Sequence, residues 1–155
     1  MARRVVPADR GAAAWPVVAV AAGLAVMAQL VGLYAPEPPV GAHWFPGADK
    51  VQHALAFALP VLLIPWADTL RRRAAGRPPR ARLLVVVVWV SAAHAVVSEL
   101  VQHTAYAGRA GDPLDVLADW SGIAVGGLLT GIGLTLRQVG RHRTSLPTER
   151  MPADG

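Results

Sequence analysis

The 155-residue sequence contains no cysteine, which excludes disulfides, a thiol nucleophile and a zinc–thiolate site. Charged residues are also scarce, at 16%, whereas about 25% is usual in soluble domains. By contrast, 54% of the residues are hydrophobic and the mean hydropathy is +0.39. A small domain leaves much of its chain exposed, so a chain of this length cannot hide that much apolar surface from water. The composition therefore excludes a soluble or disordered chain and indicates a membrane protein.

Four stretches of the sequence are free of charged residues. They contain 26, 17, 16 and 17 residues and cover 11–36, 51–67, 83–98 and 120–136. Crossing a bilayer takes about 20 helical residues, so the first stretch is long enough alone and the others must draw in polar flanking residues. A cleaved signal peptide is an alternative for the first stretch, but its apolar run is long and no A-x-A site follows it. We predict an all-α, four-helix transmembrane bundle with spans at about 14–34, 50–67, 83–103 and 115–136.

The basic residues predict the orientation of these spans. With four spans, thirteen of the fifteen basic residues lie on one side of the membrane, and Lys50 and Arg109 lie on the other. Since arginine and lysine favour the cytoplasmic side, both termini are predicted to be cytoplasmic in a multi-pass plasma-membrane protein. Residues 1–13 then form a cytoplasmic segment, and 137–155 a disordered cytoplasmic tail. Arginines beside an anionic inner leaflet also explain the pI of about 11.0 without a nucleic-acid partner.

Polar residues gather at the predicted outer ends of spans 2, 3 and 4. They are Asp49, Lys50, Gln52 and His53 in span 2, Glu99, Gln102 and His103 in span 3, and Asp112, Asp115 and Asp119 at span 4. Ionisable groups at this depth usually face the interior of a bundle, pair with one another and mark function. The sequence therefore predicts one polar pocket, although ion pairs that merely fix the bundle are an equally simple interpretation.

Helical spacing places these residues on single faces. In span 3 the polar residues recur every three or four positions, through Ser91, His94, Ser98 and Gln102. In span 4 the acids are followed on the same face by Gly122 and Gly126. This small-residue spacing permits close helix packing, either within one bundle or between copies.

The same residues carry a resemblance to the VanZ-like membrane proteins, over about half of the chain. Span 2 begins with D-K-x-x-H-x-x-x-F, span 3 ends with E-x-x-Q, a G-R pair follows, and span 4 begins with D-x-x-x-D-x-x-G-x-x-x-G. The residues concerned are Asp49, Lys50, His53, Phe57, Glu99, Gln102, Gly108, Arg109, Asp115, Asp119, Gly122 and Gly126. The family usually has Asn at the position of Asp119, so a hydrogen bond donated from there would need a protonated carboxyl group.

The resemblance implies a role in the bacterial cell envelope, because the family takes its name from a protein linked to glycopeptide (teicoplanin) resistance. We expect the pocket to bind a membrane lipid or a cell-wall-related anionic group. Lys50 and Arg109 would hold the anion, and the acids and amides would position the cations or bind polar head groups. The predicted ligand-binding set is Asp49, Lys50, His53, Glu99, Gln102, Arg109, Asp115 and Asp119.

An enzyme of the outer leaflet is the alternative function. Glu99 or Asp119 would act as general base, His53 as acid–base partner and Arg109 as stabiliser of negative charge. No nucleophile is evident, since cysteine is absent and the serines follow no hydrolase pattern. The catalytic candidates are therefore Glu99, His53 and Asp119.

Two other functions are disfavoured. A metal site on His53, Glu99, His103 and Asp115 has suitable ligand types, but no dedicated metal motif is present and a lysine and an arginine in the same cluster oppose cation binding. We therefore expect neither a metal nor another cofactor. A proton path is disfavoured because His94 is the only ionisable candidate lower in the bundle. The sequence does not predict the oligomeric state.

Overall fold

The computed structural model describes residues 10–34, 45–105 and 112–144, with side chains over 14–34, 45–105 and 112–136. It contains α1 (Arg10–Tyr34), α2 (Ala48–Ala74), α3 (Ala81–Ala105) and α4 (Pro113–Thr144), and the described residues include no strand. Each helix is long and apolar enough to cross a membrane. The predicted all-α, four-helix class is confirmed, whereas the orientation of the termini stays a prediction.

The helices extend beyond the predicted spans. α2 includes Asp49 and Lys50 and continues to Ala74, through two buried prolines. The prediction that a disordered tail begins at residue 137 is wrong for its first eight residues, since α4 continues to Thr144. Arginine and glutamine are good helix formers, and the first proline after the span is Pro147. Residues 145–155 lie outside the described part of the chain.

Most of the large apolar side chains face outward, whereas several polar side chains are buried in the interior of the bundle. On α3 the exposed residues include Val85, Val86, Trp89, Val90, Val97 and Leu100, whereas the buried ones include Ser91, Ser98, Glu99 and Gln102. Without a membrane this arrangement would expose a large apolar surface to water, which is unfavourable. The polar face predicted for span 3 therefore lies inside the bundle, and the valine-rich face is available to lipid.

α2 and α4 run parallel and make the closest helix contact in the bundle. A Cβ atom at Gly122 would overlap the carbonyl oxygen of Ala54, and one at Gly126 would lie 2.6 Å from the carbonyl oxygen of Ala58. Both helices thus contribute small residues four positions apart, which lets the two backbones approach. The small-residue motif of span 4 packs within the bundle.

The two ends of the bundle carry opposite charge. α2 and α4 begin, and α1 and α3 end, at the same end, which holds the acids of the predicted pocket and is called the acidic end below. The opposite end carries Arg71, Arg72, Arg73, Arg77, Arg80 and Arg82 around the α2–α3 connection. Between the two ends lies a small apolar core formed by Leu33, Phe57, Val61, Val87, Ala95 and Ile123.

Candidate functional site

The outermost part of the acidic end is organised by the first turn of α4. Asp112 precedes Pro113, the first residue of the helix, and its Oδ1 accepts a hydrogen bond from the Leu114 N–H at 2.9 Å. This is the usual role of an aspartate N-cap, and proline is favoured at the following position because its missing N–H is not needed there. The N–H of Asp112 donates to Glu99 Oε2 at 3.0 Å and so ties α3 to α4.

Lys50 lies among three carboxylates. Its ammonium group is 3.1 Å from Asp49 Oδ2, 2.6 Å from Asp112 Oδ2 and 2.6 Å from Asp115 Oδ1. We call these four residues the lysine cluster. The Lys50 ammonium, together with the N–H of Leu114, holds the pKa of Asp112 below its ordinary value. Since its charge is already matched by more than one acid, Lys50 is not a free cation for an external anion.

Beneath the lysine cluster, one residue from each of α2, α3 and α4 converges. His53, Glu99 and Asp119 each offer a ligand atom within 4.8 Å of the others, and we call them the buried triad. The Nδ1 of His53 lies 3.0 Å from Asp119 Oδ1, and its Nε2 lies 3.9 Å from Asp115 Oδ2. The imidazole therefore lies between two carboxylates and connects the triad to the lysine cluster.

Among the described residues, two carboxylate oxygens of the triad have no hydrogen-bond partner. They are Glu99 Oε1 and Asp119 Oδ2, and their residues are 7% and 0% exposed. Burying a carboxylate oxygen without a partner is costly, and native structures keep such groups mainly where they have a function or meet an ion. This observation distinguishes the triad from ordinary ion pairs at the end of a helix.

The remaining polar residues near the triad make structural contacts. Gln102 donates from Nε2 to the Leu33 carbonyl oxygen at 3.0 Å. This carbonyl belongs to the last turn of α1, where carbonyl groups lack a partner within the helix. The hydroxyl oxygen of Tyr34 lies 3.1 Å from His94 Nε2, and the two rings stack. Gln102 and His94 thus attach the end of α1 to α3.

An apolar cavity of about 580 Å³ lies between α1 and α2 and reaches the site. Its lining is mainly apolar and includes Ala28, Gly32, Val51 and Leu59, and its polar lining residues are Gln29, Gln52 and His53. His53 therefore belongs both to the wall of an apolar cavity and to the buried triad.

The structure places the predicted residues in different roles. Asp49, Lys50 and Asp115 belong to the lysine cluster, and His53, Glu99 and Asp119 form the buried triad. His103 is exposed and is not part of the triad. Arg109 and Gly108 lie outside the described residues. Asp112 was missing from the predicted ligand set, although an Asp-Pro pair at the start of a helix is a recognisable N-cap signal that would have fixed its position.

The described part of the site is strongly acidic. The five carboxylates of the lysine cluster and the triad face one lysine, which leaves a formal charge of −4 when His53 is neutral. Such a site can attract cations and accept hydrogen bonds from hydroxyl or amino groups. It can also use the histidine–aspartate pair for proton transfer.

Comparison of the chain with family models, with curated proteins and with solved structures finds no match. The resemblance to VanZ-like proteins therefore rests on the four sequence motifs, and the function must be argued from the geometry of the site.

Proposed function

We propose that the chain is a VanZ-like integral membrane protein of the bacterial cell envelope that binds a lipid or a lipid-linked cell-wall group at the outer leaflet. In this proposal the acidic end faces outward and the arginine-rich end faces the cytoplasm. The excess of arginine at the latter supports this orientation, since positive charge favours the cytoplasmic side. Binding of such a ligand would lower the susceptibility of the cell to glycopeptides such as teicoplanin.

The observation that carries the proposal is the meeting of the apolar cavity and the buried triad at His53. Small-molecule sites are typically apolar cavities with a few convergent polar groups. The cavity suits part of an acyl or prenyl chain, and the triad suits the polar group attached to it. An amphiphile in the outer leaflet could enter between α1 and α2 without crossing water.

The charges at the acidic end restrict the polar group of the ligand. The carboxylates favour groups that donate hydrogen bonds, such as the hydroxyl and amino groups of sugars and amino acids. A phosphate or carboxylate on the same ligand requires a cation. Since Lys50 is already paired with three acids, the remaining candidates for that cation are Arg109, a protonated His53 and an ion bound by the site itself.

The proposal is tested in a glycopeptide-susceptible bacterium that expresses the wild type and variants at equal levels in the membrane. We expect the wild type to reduce teicoplanin susceptibility and to co-purify with an envelope lipid that mass spectrometry identifies. Ala28→Phe fills the cavity and should abolish both effects. Glu99→Gln and Arg109→Ala should weaken both by removing contacts to the polar group.

Leu24→Phe is the matched control for the cavity. Leu24 lies one helical turn before Ala28 and is exposed, and it is not part of the cavity wall. It should leave susceptibility and lipid binding unchanged. The proposal would be contradicted if Ala28→Phe and Leu24→Phe behaved identically. It would also be contradicted if the wild type neither bound an envelope lipid nor changed susceptibility.

The His53–Asp119 contact supports a second candidate, an outer-leaflet enzyme that acts on a lipid or lipid-linked substrate. An imidazole 3.0 Å from a buried carboxylate is a common acid–base arrangement, and Glu99 lies close enough to exchange a proton with the same substrate. The two functions differ in one measurement. An enzyme changes the lipid composition of the host and loses this effect in Glu99→Gln even where the variant still binds the lipid.

A further inference from the structure

The buried triad has the donor set of a divalent metal site. One imidazole nitrogen and two carboxylates come together from three helices, and their ligand atoms lie within 4.8 Å of one another. Metal–ligand bonds of about 2.0–2.2 Å place neighbouring ligand atoms roughly 3–3.6 Å apart, depending on the coordination geometry. The 3.0 Å separation of His53 Nδ1 and Asp119 Oδ1 is at the short end of this range.

The unpartnered oxygens supply independent support for a cation. Glu99 Oε1 and Asp119 Oδ2 belong to carboxylates that are more than nine-tenths buried, and neither has a hydrogen-bond partner in the part of the chain that the structure describes. Two buried carboxylates this close together repel each other, and the Asp112 N–H and the His53 imidazole contact only one oxygen of each. A cation between them removes both the repulsion and the unsatisfied oxygens.

We propose that His53, Glu99 and Asp119 bind one divalent cation of the Zn²⁺ or Mn²⁺ type. Imidazole favours zinc and related transition ions, and carboxylates suit Mn²⁺ as well. The mixed set therefore disfavours Mg²⁺, which prefers an all-oxygen site with several waters. Of the two basic residues that made a metal improbable from sequence, Lys50 does not enter the triad, because its ammonium group is engaged by Asp49, Asp112 and Asp115, and Arg109 lies outside the described residues.

The lysine cluster provides the outer contacts that such a site needs. A histidine that binds a metal through one nitrogen usually donates its other N–H to a carboxylate or carbonyl oxygen. If His53 binds through Nδ1, its Nε2 faces Asp115 Oδ2 at 3.9 Å, and Asp115 is itself held by Lys50 at 2.6 Å. Asp115, held by Lys50, is then a positioning residue that would orient His53 without binding the ion once the 3.9 Å separation closes to hydrogen-bond distance.

Three protein ligands leave at least one coordination position open. Resting on the proposed function, we assign this position to the phosphate or carboxylate oxygen of the bound amphiphile, next to the apolar cavity. The ion then explains how a site with a formal charge of −4 can hold an anionic group without a free lysine.

Zn²⁺ binding to the full chain in detergent micelles tests the metal site without the proposed amphiphile. The protein is purified with an affinity tag that lacks histidine, stripped with a chelator and titrated with Zn²⁺, Mn²⁺ and Mg²⁺. Competition with a chromophoric chelator gives the affinity, and elemental analysis gives the stoichiometry. We expect one Zn²⁺ per chain and markedly weaker Mg²⁺ binding.

Variants identify the ligands. His53→Ala, Glu99→Gln and Asp119→Asn should each weaken Zn²⁺ binding by at least about tenfold, and Asp115→Asn should weaken it less while leaving the stoichiometry at one. His103→Ala is the matched control, since His103 lies one turn after Glu99 but is exposed and outside the triad. It should bind Zn²⁺ like the wild type.

Absence of stoichiometric Zn²⁺ or Mn²⁺ binding by the wild type would overturn the inference, even if a triad variant failed to fold. Equal binding by wild type and Glu99→Gln, or weaker binding in His103→Ala alone, would overturn it as well. The result of this metal-binding test can be distinguished from the result of the test of the proposed function. A chain that binds Zn²⁺ but changes neither lipid binding nor susceptibility has the metal site and another function.

Discussion

Gly122 of α4 packs against the carbonyl oxygen of Ala54 of α2 so closely that a Cβ atom at position 122 would overlap that oxygen. Ala54 directly follows His53 on α2, and Gly122 lies about one helical turn after Asp119 on α4. The spacing of α2 and α4 that the glycine permits is therefore also the spacing that brings the imidazole to the buried carboxylate.

Gly122→Ala should separate α2 from α4. The added methyl group meets backbone rather than a flexible side chain, so the helices must move apart. We expect a loss of about 1–3 kcal/mol in the free energy of unfolding, which is the usual cost of overpacking. Thermal unfolding in detergent micelles, followed by circular dichroism, measures the change.

Gly131→Ala on the same helix is the control. Apart from the backbone of its own helix and its two chain neighbours, a Cβ atom there meets no atom of the described residues within 4 Å. Because alanine is the better helix former, this variant should be neutral or up to about 1 kcal/mol more stable. Similar losses in both variants would show that the α2–α4 contact is not the reason.

Lys50→Met should destabilise the acidic end. It removes the ammonium group from Asp49, Asp112 and Asp115, which then repel one another. We expect a loss of roughly 1–3 kcal/mol, because hydrogen bonds to charged groups contribute about that much. The double variant Lys50→Met/Asp115→Asn should lose less than the sum of the two single variants, since the residues are directly coupled.

Arg71→Ala is the comparison for an exposed ion pair. Arg71 contacts Asp68 at 2.9 Å, but its side chain is 57% exposed. Pairs of this kind contribute at most about 1 kcal/mol. A Lys50→Met variant no less stable than Arg71→Ala would mean that the lysine cluster contributes little to the fold.

Glu99→Gln should stabilise the bundle in chelator and lose most of the stabilisation that metal gives the wild type. In chelator, the amide replaces a buried carboxylate that has an unpartnered oxygen, so the variant should be more stable by about 1–3 kcal/mol. With Zn²⁺ at 100 times its dissociation constant, the wild type should gain about 2.7 kcal/mol, and the variant should gain much less.

The comparison requires the melting temperature of both proteins in chelator and in excess Zn²⁺. A melting temperature that rises equally in both proteins would place the ion elsewhere. A variant that is much less stable in chelator would show that Glu99 serves the fold through its charge rather than through a bound cation.

The sequence predicted the helices well because charge-free runs and the arginines that flank them can be read directly from the local sequence. It also predicted that His53, Glu99 and Asp119 face one interior, since helical spacing places them on polar faces. It did not predict which helices touch. The parallel α2–α4 contact depends on Ala54 and Ala58 matching the glycines of α4, and small residues on one helix do not identify their partner.

The interpretation of Lys50 was limited for a related reason. A lone lysine among acids is equally compatible with binding an external anion and with pairing inside the chain. The choice depends on Asp112, which reaches Lys50 because it caps α4 and is tied by its N–H to Glu99. That position results from the packing of three helices, and the spacing of residues along one helix gives no information about such packing.

Asp112→Asn should change how stability depends on pH. The Lys50 ammonium and the Leu114 N–H hold the pKa of Asp112 below its ordinary value, so the unfolded chain takes up the proton first as the pH falls. The stabilisation from the carboxylate is therefore complete above the unfolded-state pKa and is lost as the pH falls through the folded-state pKa. Asparagine is an equally good N-cap, so the variant removes the charge and keeps the start of α4.

We expect the difference in free energy of unfolding between wild type and Asp112→Asn to be constant from about pH 7 to about pH 5 and to shrink below about pH 4. Chemical unfolding in micelles across this range measures it. In a Lys50→Met background the pH dependence of the difference should be smaller, because the ammonium that lowers the pKa is gone. If it is undiminished in that background, the ion pair with Lys50 is not what lowers the pKa of Asp112, and the lysine cluster does not hold the start of α4 through charge.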